Sequence, residues 1–496
     1  MPALGLVLAL TGCAAHAPPA TVPLVVPSRW FAPLPEKGVN VTPAPPAAGL
    51  PHDGSLSSLS RWWAQQNDAL LVELIETAQA VSPGIVTARS NIEQAQLART
   101  AGEAALLPKL DATTSVSRSV SAPVNGATLP PANLVQIGLQ TRWELDLFGQ
   151  NRASLAADQE RLAGAQALWH DARVSVAAEV ARQYYTLRSC EKLLLVSEAD
   201  ALSRFETARL TAMVTRAGFE APATAALARA SAAESKARVT QQRAECDVGI
   251  KTLVALTALA EPALRQKLAQ TPVAAQQAIN DISSVPADVL TQRPDVFNAA
   301  REVAAASFDV GSARAQRYPK LSLTGAITRG KVMSQGMSTG FESWTIGPLA
   351  LSVPLFDGGA SLANLDAAKA RYEDAASKFR GISRQAVREV EEALVKLQST
   401  ADRAADAVVA DEGYRACYNG TEARYKAGLA SLVELEDSRR TLLLAQSALL
   451  NLELERRSAW IALYRALGGG WNINAPQPEP MAFDSPQTAL PARNQP

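Results

Sequence analysis

Four cysteines and three histidines carry the most distinctive chemistry in this chain of 496 residues. His16, His52 and His170 stand isolated from one another. No nucleophile is spaced from a base as in a catalytic set, and no His or Cys pair has metal-ligand spacing. Gly468-Gly469-Gly470 ends a helical stretch instead of opening one, so it is no phosphate loop. Catalysis, a resident metal and a cofactor are therefore not expected. Cys13 closes Leu10-Thr11-Gly12-Cys13, directly after an apolar run from Ala3 that is too short to span a bilayer. Cys190 lies 28 residues before Gly218 and Cys246 lies 28 residues after it. In an antiparallel helical hairpin turning near Gly218 the two sit at one height, where an oxidising compartment permits a disulfide. The alternative is two small buried hydrophobes that never meet. Cys417 has no partner evident in the sequence.

The elements that would position these residues are long helices. Ser361 to Leu467 contains no proline and is rich in Ala, Leu, Glu and Arg, all good helix formers. Leu435, Leu442 and Leu449 recur at the seven-residue spacing of a coiled-coil seam. Tyr425-Lys426-Ala427-Gly428-Leu429-Ala430-Ser431 breaks the run: Gly428 suits a left-handed helix end and Ser431 suits the next cap. Two antiparallel helices joined by a tight turn follow, the first reaching roughly 90 to 100 Å if Gly381, Gly413 and Gly420 leave it unbroken. The same design occurs about 210 residues earlier. Leu147-Phe148-Gly149 corresponds to Leu355-Phe356-Asp357-Gly358-Gly359, Glu179-Val180 to Glu389-Val390, and Ala217-Gly218 to Ala427-Gly428. Leu107-Pro108-Lys109-Leu110 likewise pairs with Tyr318-Pro319-Lys320-Leu321. The chain is an internal duplication.

Each half also holds two segments of alternating polarity. Val135, Ile137, Leu139, Thr141, Trp143, Leu145 and Leu147 share one face, with Gln136, Gln140, Arg142, Glu144 and Asp146 on the other. Strands are expected at about 108–120, 133–147, 318–329 and 342–356, with a Gly/Ser-rich loop between the last two and a bulge near Gly347-Pro348. Strands of roughly 10 residues are long enough to cross a membrane. Four cannot close a barrel, and an open edge is not tolerated in lipid, so a membrane-spanning reading requires oligomerisation; three chains give twelve strands. A soluble sheet covered by helices is the alternative. Lys and Arg total 48, as do Asp and Glu, so no polycation is present to hold nucleic acid.

The domain plan is then a signal peptide (1–12), an N-terminal strap (13–55), a first repeat (56–258), a linker (259–286), a second repeat (287–470) and a Pro- and Gln-rich tail (471–496). Leu10-Thr11-Gly12-Cys13 resembles the lipobox of bacterial lipoproteins, which implies acylation of Cys13 and anchoring of the strap in lipid. No Lys or Arg precedes the apolar run, a departure from the usual leader that leaves the true start open.

Several further motifs resemble one family over nearly the whole mature chain. They are Trp143-Glu144-Leu145-Asp146-Leu147-Phe148-Gly149, Leu290-Thr291-Gln292-Arg293-Pro294-Asp295-Val296, Tyr318-Pro319-Lys320-Leu321 and Tyr425-Lys426-Ala427-Gly428-Leu429. Together with the duplication and the lipobox they resemble the TolC-like outer-membrane efflux proteins, within them the NodT-type lipoproteins serving resistance-nodulation-division pumps. The resemblance implies a mainly α fold with long hairpins and four membrane strands per chain, forming a homotrimer with a twelve-stranded barrel. It also implies passive export of drugs or other toxic solutes, delivered by an inner-membrane pump through a periplasmic adaptor. Arg216, Gly218 and Phe219, with Lys426, Gly428 and Leu429, match the helical tips that the adaptor grips. Glu434 and Asp437 match acidic residues that ring the periplasmic gate, and Tyr425 a tyrosine that latches it. Ala430 and Thr224 depart from the closed-state partners of the best-known member; Arg424 and Lys426 are the substitutes at hand. A periplasmic coiled-coil scaffold without a pore, or a conduit for peptide or protein secretion, are the competing readings.

Overall fold

The computed structural model describes residues 17–23, 30–32, 63, 68–120, 130–271 and 293–471. The expected signal peptide, Cys13, most of the strap, the linker beyond 271 and the tail from 472 lie outside these residues. The two halves carry the same elements. Helix α1 (Ala69–Val81) leads into α2 (Pro83–Ala104), then strands β1 (Lys109–Ser119) and β2 (Ala132–Leu145), then α3 (Gln150–Arg216) and α4 (Pro222–Thr257). After the short α5 (Glu261–Gln270), helix α6 (Pro294–Ala315), strands β3 (Lys320–Ser334) and β4 (Met337–Ser352), and helices α7 (Ala360–Lys426) and α8 (Leu432–Ala466) repeat the order. The duplication is close in length: α2 and α6 each have 22 residues, and α3 and α7 each have 67. Neither Gly381, Gly413 nor Gly420 breaks α7, which spans about 100 Å.

Local chemistry explains the joints. After β2 the Asp146 carboxylate accepts backbone N–H bonds from Asn151 (3.2 Å) and Arg152 (2.9 Å), filling the donor positions at the start of α3. Asp357 does the same for Gly359 and Ser361, both at 2.9 Å, at the start of α7. At the far end both hairpins turn through one motif. Phe219 N–H bonds to Val214 O (3.1 Å) and Gly218 N–H to Thr215 O (3.0 Å); Leu429 to Arg424 (2.8 Å) and Gly428 to Tyr425 (3.0 Å) repeat the pattern. This is the Schellman closure, and it requires the positive φ of Gly218 (82°) and Gly428 (75°). Pro222 opens α4 as a first-turn proline, whereas the Ser431 hydroxyl caps α8 by accepting Glu434 N–H at 3.2 Å.

The four strands form one antiparallel sheet in the order β1-β2-β3-β4. Its register puts Leu110, Ile137, Leu139, Ile327, Trp344, Ile346, Leu349 and Leu351 on one face, all exposed in the protomer. Asp111, Gln140, Thr328, Ser343 and Thr345 lie on the other. Two sequence expectations need correction. The Gly/Ser-rich stretch is not a loop: β3 runs to Ser334, β4 begins at Met337, and Gln335 (φ 51°) with Gly336 (φ 78°) makes a two-residue turn of the primed kind. The strands therefore lie at 320–334 and 337–352 instead of about 318–329 and 342–356. The segment read as linker from 259 opens with α5, because Leu264 and Leu268, one turn apart, are buried in the core. At Gly347-Pro348 the pairing shifts by one residue opposite Thr324, a bulge.

Most helical packing gathers around the middle of the molecule, where Leu71, Leu74, Tyr184, Leu187, Val303, Val390, Leu394 and Leu463 form the main core. Arg293 staples this region. Its buried guanidinium bonds Asp295 (2.7 Å), Glu389 on α7 (2.8 Å) and the Ala466 carbonyl at the end of α8 (3.1 Å). Burial opposes its charge, but the Asp295 and Glu389 carboxylates outweigh that and hold it above the ordinary arginine value. Arg293→Ala is expected to destabilise by about 3 kcal/mol, since it leaves two carboxylates and a helix end without their shared donor. Arg293→Lys is expected to recover little of this, because an ammonium cannot reproduce the fork. Thermal unfolding of the detergent-solubilised protein reads both; an unchanged midpoint in Arg293→Ala would remove the staple.

Parts of the strap are also held. The Ser307 hydroxyl donates to Pro18 O (2.5 Å) and Tyr372 Oη to Pro19 O (2.9 Å). Further down α7, the Glu391 carboxylate accepts N–H bonds from Phe31 (2.6 Å) and Ala32 (2.7 Å). These described parts of the strap thus lie against the second repeat.

Candidate periplasmic gate

The tip of the second hairpin is built by the Gly428 turn and the Ser431 cap. Lys426, Leu429, Glu434 and Asp437 are exposed there, as are Arg216 and Phe219 on the first hairpin. Glu434 and Asp437 share a face of α8, and neither carboxylate is bare. Arg440 forms an ion pair with Asp437, and Arg424 approaches Glu434 at 3.9 Å. Arg424 also donates to Leu429 O (3.2 Å), which ties it to the turn. Lys426 pairs with Glu422 at 3.1 Å. Burial opposes the Glu422 charge, but Lys426 and the Tyr418 hydroxyl hold its carboxyl below the ordinary range. Tyr425 is half-buried, and its hydroxyl meets Thr211 Oγ1 of α3 at 3.0 Å, so it bridges the two hairpins of one chain. Ala208, Ala228, Leu432 and Leu435 make a small apolar cluster beside it.

The strongest link between the hairpins involves residues that sequence reasoning passed over. Glu436 lies between Glu434 and Asp437 in the sequence. It turns inward to form an ion pair with the buried guanidinium of Arg204 on α3 and another with Arg439 at 2.9 Å. Asp200 completes the charge balance, 2.8 Å from Arg204. The Ser231 hydroxyl of α4 donates to Glu436 (2.8 Å), and Arg439 donates to Ser203 Oγ (2.9 Å) and Thr207 Oγ1 (2.8 Å). Two buried cations and two half-buried anions thus meet where α3, α4 and α8 come together, about 6 Å along α8 from its start at Leu432. Buried charges persist only when paired and hydrogen-bonded, which explains the density of partners. Nothing in the local sequence separates Glu436 from Glu434 and Asp437; the difference is which way α8 faces a helix more than 200 residues away.

Higher in the first hairpin, Cys190 on α3 and Cys246 on α4 are joined as a disulfide, with an S–S distance of 2.02 Å. Cys417 on α7 is free and exposed. Among the described residues no group of three or more His, Cys, Asp or Glu side chains could hold a metal ion.

The profile of the outer membrane efflux protein family matches residues 74–278 and 285–469, covering both repeats. The chain belongs to this family. Among its efflux-protein relatives, outer membrane protein OprJ of Pseudomonas aeruginosa is 31% identical over 360 residues, covering 69% of this chain and 71% of OprJ. The toluene efflux pump outer membrane protein TtgI of Pseudomonas putida is 27% identical over 415 residues, covering 82% of this chain and 87% of TtgI. The solved outer-membrane channel OprN superposes with a TM-score of 0.76 at 26% identity, covering 87% of this chain and 99% of OprN. The fold is that of the TolC-like channels, and this efflux protein is an outer-membrane protein whose hairpins extend into the periplasm.

Proposed function

We propose that three copies of this efflux protein assemble into the outer-membrane channel of a tripartite export system. One observation carries the reading. A single protomer presents an antiparallel sheet with an exposed apolar face and two unpaired edges, β1 and β4, continuous with helical hairpins about 100 Å long. A sheet edge cannot stay open in lipid, so β1 of one copy pairs with β4 of the next until twelve strands close. The apolar side chains left uncovered along the hairpins, Leu195, Leu202, Phe205, Val408, Val409 and Leu444, suit packing between protomers.

In this assembly the barrel and tunnel form one passive conduit. An inner-membrane pump of the resistance-nodulation-division type supplies drugs or other toxic solutes, and a periplasmic adaptor holds pump and channel together. The adaptor grips the tips at Arg216, Gly218 and Phe219 and at Lys426, Gly428 and Leu429. Cys13 carries the lipid that holds the strap at the inner leaflet of the outer membrane. Threefold symmetry gathers Glu434 and Asp437 into a ring at the periplasmic mouth, latched by Tyr425. The ring opens when adaptor and pump move the second hairpin, from Lys378 to Leu467, away from the axis.

Planar-bilayer recording tests this. The wild type is expected to give cation-preferring channels of low resting conductance. Replacing Glu434 and Asp437 together by Ala is expected to raise resting conductance or lower cation preference by about twofold. The effect is kept modest because Arg424 and Arg440 already offset the two acids. Absence of any channel sinks the export reading, and unchanged conductance and selectivity in the double variant sinks the gate assignment.

A further inference from the structure

The apolar face of the sheet ends in a cluster of cations. Following the register away from the helices, the rows led by Leu321, Leu323, Gly325 and Ile327 are apolar on this face, and the last of them holds the exposed Trp344. The next row pairs Ile137 with Arg329 and Arg329 with Glu342. Then come Lys331, opposite Val135 and Gly340, and in the following row Arg118, opposite Asn133. Arg118, Arg329 and Lys331 are all exposed, and Glu342 is the one acid on this face among these three rows, 3.4 Å from Arg329. Gly340 offers no side chain, which leaves a notch beside Lys331. An open cavity of about 830 Å³ lies there, lined by Thr114, Val135, Ile137, Arg329, Lys331 and Met333 among others.

We infer that this basic cluster binds the phosphorylated headgroup of a lipid in the outer leaflet. The inference rests on the membrane orientation of the sheet proposed above. The helices leave the sheet at the periplasmic end, so the Gln335-Gly336 turn points outward and the cations stand just beyond the apolar band. An aromatic residue at the edge of that band marks the level of lipid headgroups in membrane barrels, and Trp344 holds that place. Strands lie about 4.8 Å apart and Arg118 stands one same-face row beyond Lys331, so the backbones of the two are roughly 12 Å apart on the sheet. Cations at that separation match a headgroup with two phosphates. Arginine forks engage phosphate oxygens in pairs, and the Arg329–Glu342 pair, fully exposed to solvent, is weak enough to yield. The apolar rows on the helix side of the cluster, with Ile137, Leu139 and Ile327 exposed, suit the acyl chains below the headgroup.

The test uses the purified full-length protein in detergent, mixed with a bis-phosphorylated glycolipid or its dephosphorylated counterpart and then passed through gel filtration. Wild type is expected to retain the phosphorylated lipid at least about tenfold more than the Arg118→Gln/Arg329→Gln/Lys331→Gln variant, and to make little distinction from that variant with the dephosphorylated lipid. Glu342→Gln, which removes the local acid, is expected to raise retention and so tests the site even where the triple variant folds poorly. Equal retention of the two lipids by the wild type overturns the inference. Displacement by millimolar inorganic phosphate also overturns it, because the site would then serve free anions. A wild type that needs detergent but shows no phosphate preference refutes this site alone, whereas a protein soluble without detergent refutes the membrane reading beneath it.

Discussion

Glu436→Ala is expected to loosen the two hairpins of each protomer and, in the proposed channel, open the periplasmic end without any change to Glu434 or Asp437. The substitution removes the shared anion of two buried guanidinium groups, Arg204 and Arg439, and leaves Asp200 to balance Arg204. Breaking a buried pair from one side costs about 3 to 5 kcal/mol, far more than the pair adds over a well-packed apolar replacement. Two readouts follow: a lowered thermal midpoint and a raised resting conductance. Glu436→Gln keeps the hydrogen-bond acceptor for Ser231 but not the charge, and is expected to fall between wild type and Glu436→Ala. Exposed Glu434→Ala, two residues away, is expected to leave stability within about 0.5 kcal/mol of wild type, with little change in the midpoint. If Glu436→Ala and Glu434→Ala behave alike, the buried cluster is not what joins the hairpins.

Reduction of the Cys190–Cys246 bond is the second large effect. It closes a loop spanning a sequence separation of 56 residues, which includes the Gly218 turn. In the chain-entropy account a loop of that size contributes about 4 kcal/mol by restricting the unfolded chain. Reductant, or the Cys190→Ser/Cys246→Ser variant, is therefore expected to lower the thermal midpoint while leaving the channel assembled at ambient temperature. The second hairpin holds only Cys417 and has no equivalent staple. The covalent tie stiffens the first hairpin alone, which favours the second as the element that moves. Equal midpoints with and without reductant would contradict this.

Much of the architecture could be read from residue spacing, because long regular elements report themselves. Helices rise uniformly, so equal distances from Gly218 suffice to place Cys190 and Cys246 at one height. The turns at Gly218 and Gly428 were legible because a left-handed helix end selects glycine. The apolar alternation of β2 was legible because one face meets lipid. The upper halves of β3 and β4 were not: beyond Ile327 and Trp344 the apolar residues Val332, Met333 and Phe341 are divided between the two faces, the period of two disappears, and Ser334, Ser338 and Gly340 read as a loop. The α5 helix was hidden by its size, since Leu264 and Leu268 are the two side chains it buries. The Glu436 cluster was hidden for another reason. Its meaning depends on the rotation of α8 against α3, a tertiary quantity that Glu434, Glu436 and Asp437 cannot express in sequence. The motif Arg293-Pro294-Asp295 was visible as a helix start, but the reach of Arg293 to Glu389 and Ala466 was not.

The most direct test of the account is single-particle imaging of the detergent-extracted full-length protein, together with its native mass. A trimeric, threefold particle roughly 130 to 140 Å long, with a short barrel continuous with a helical tunnel, is the expected result. A monomer or dimer that is soluble without detergent, with its sheet covered by its own helices, would contradict the channel.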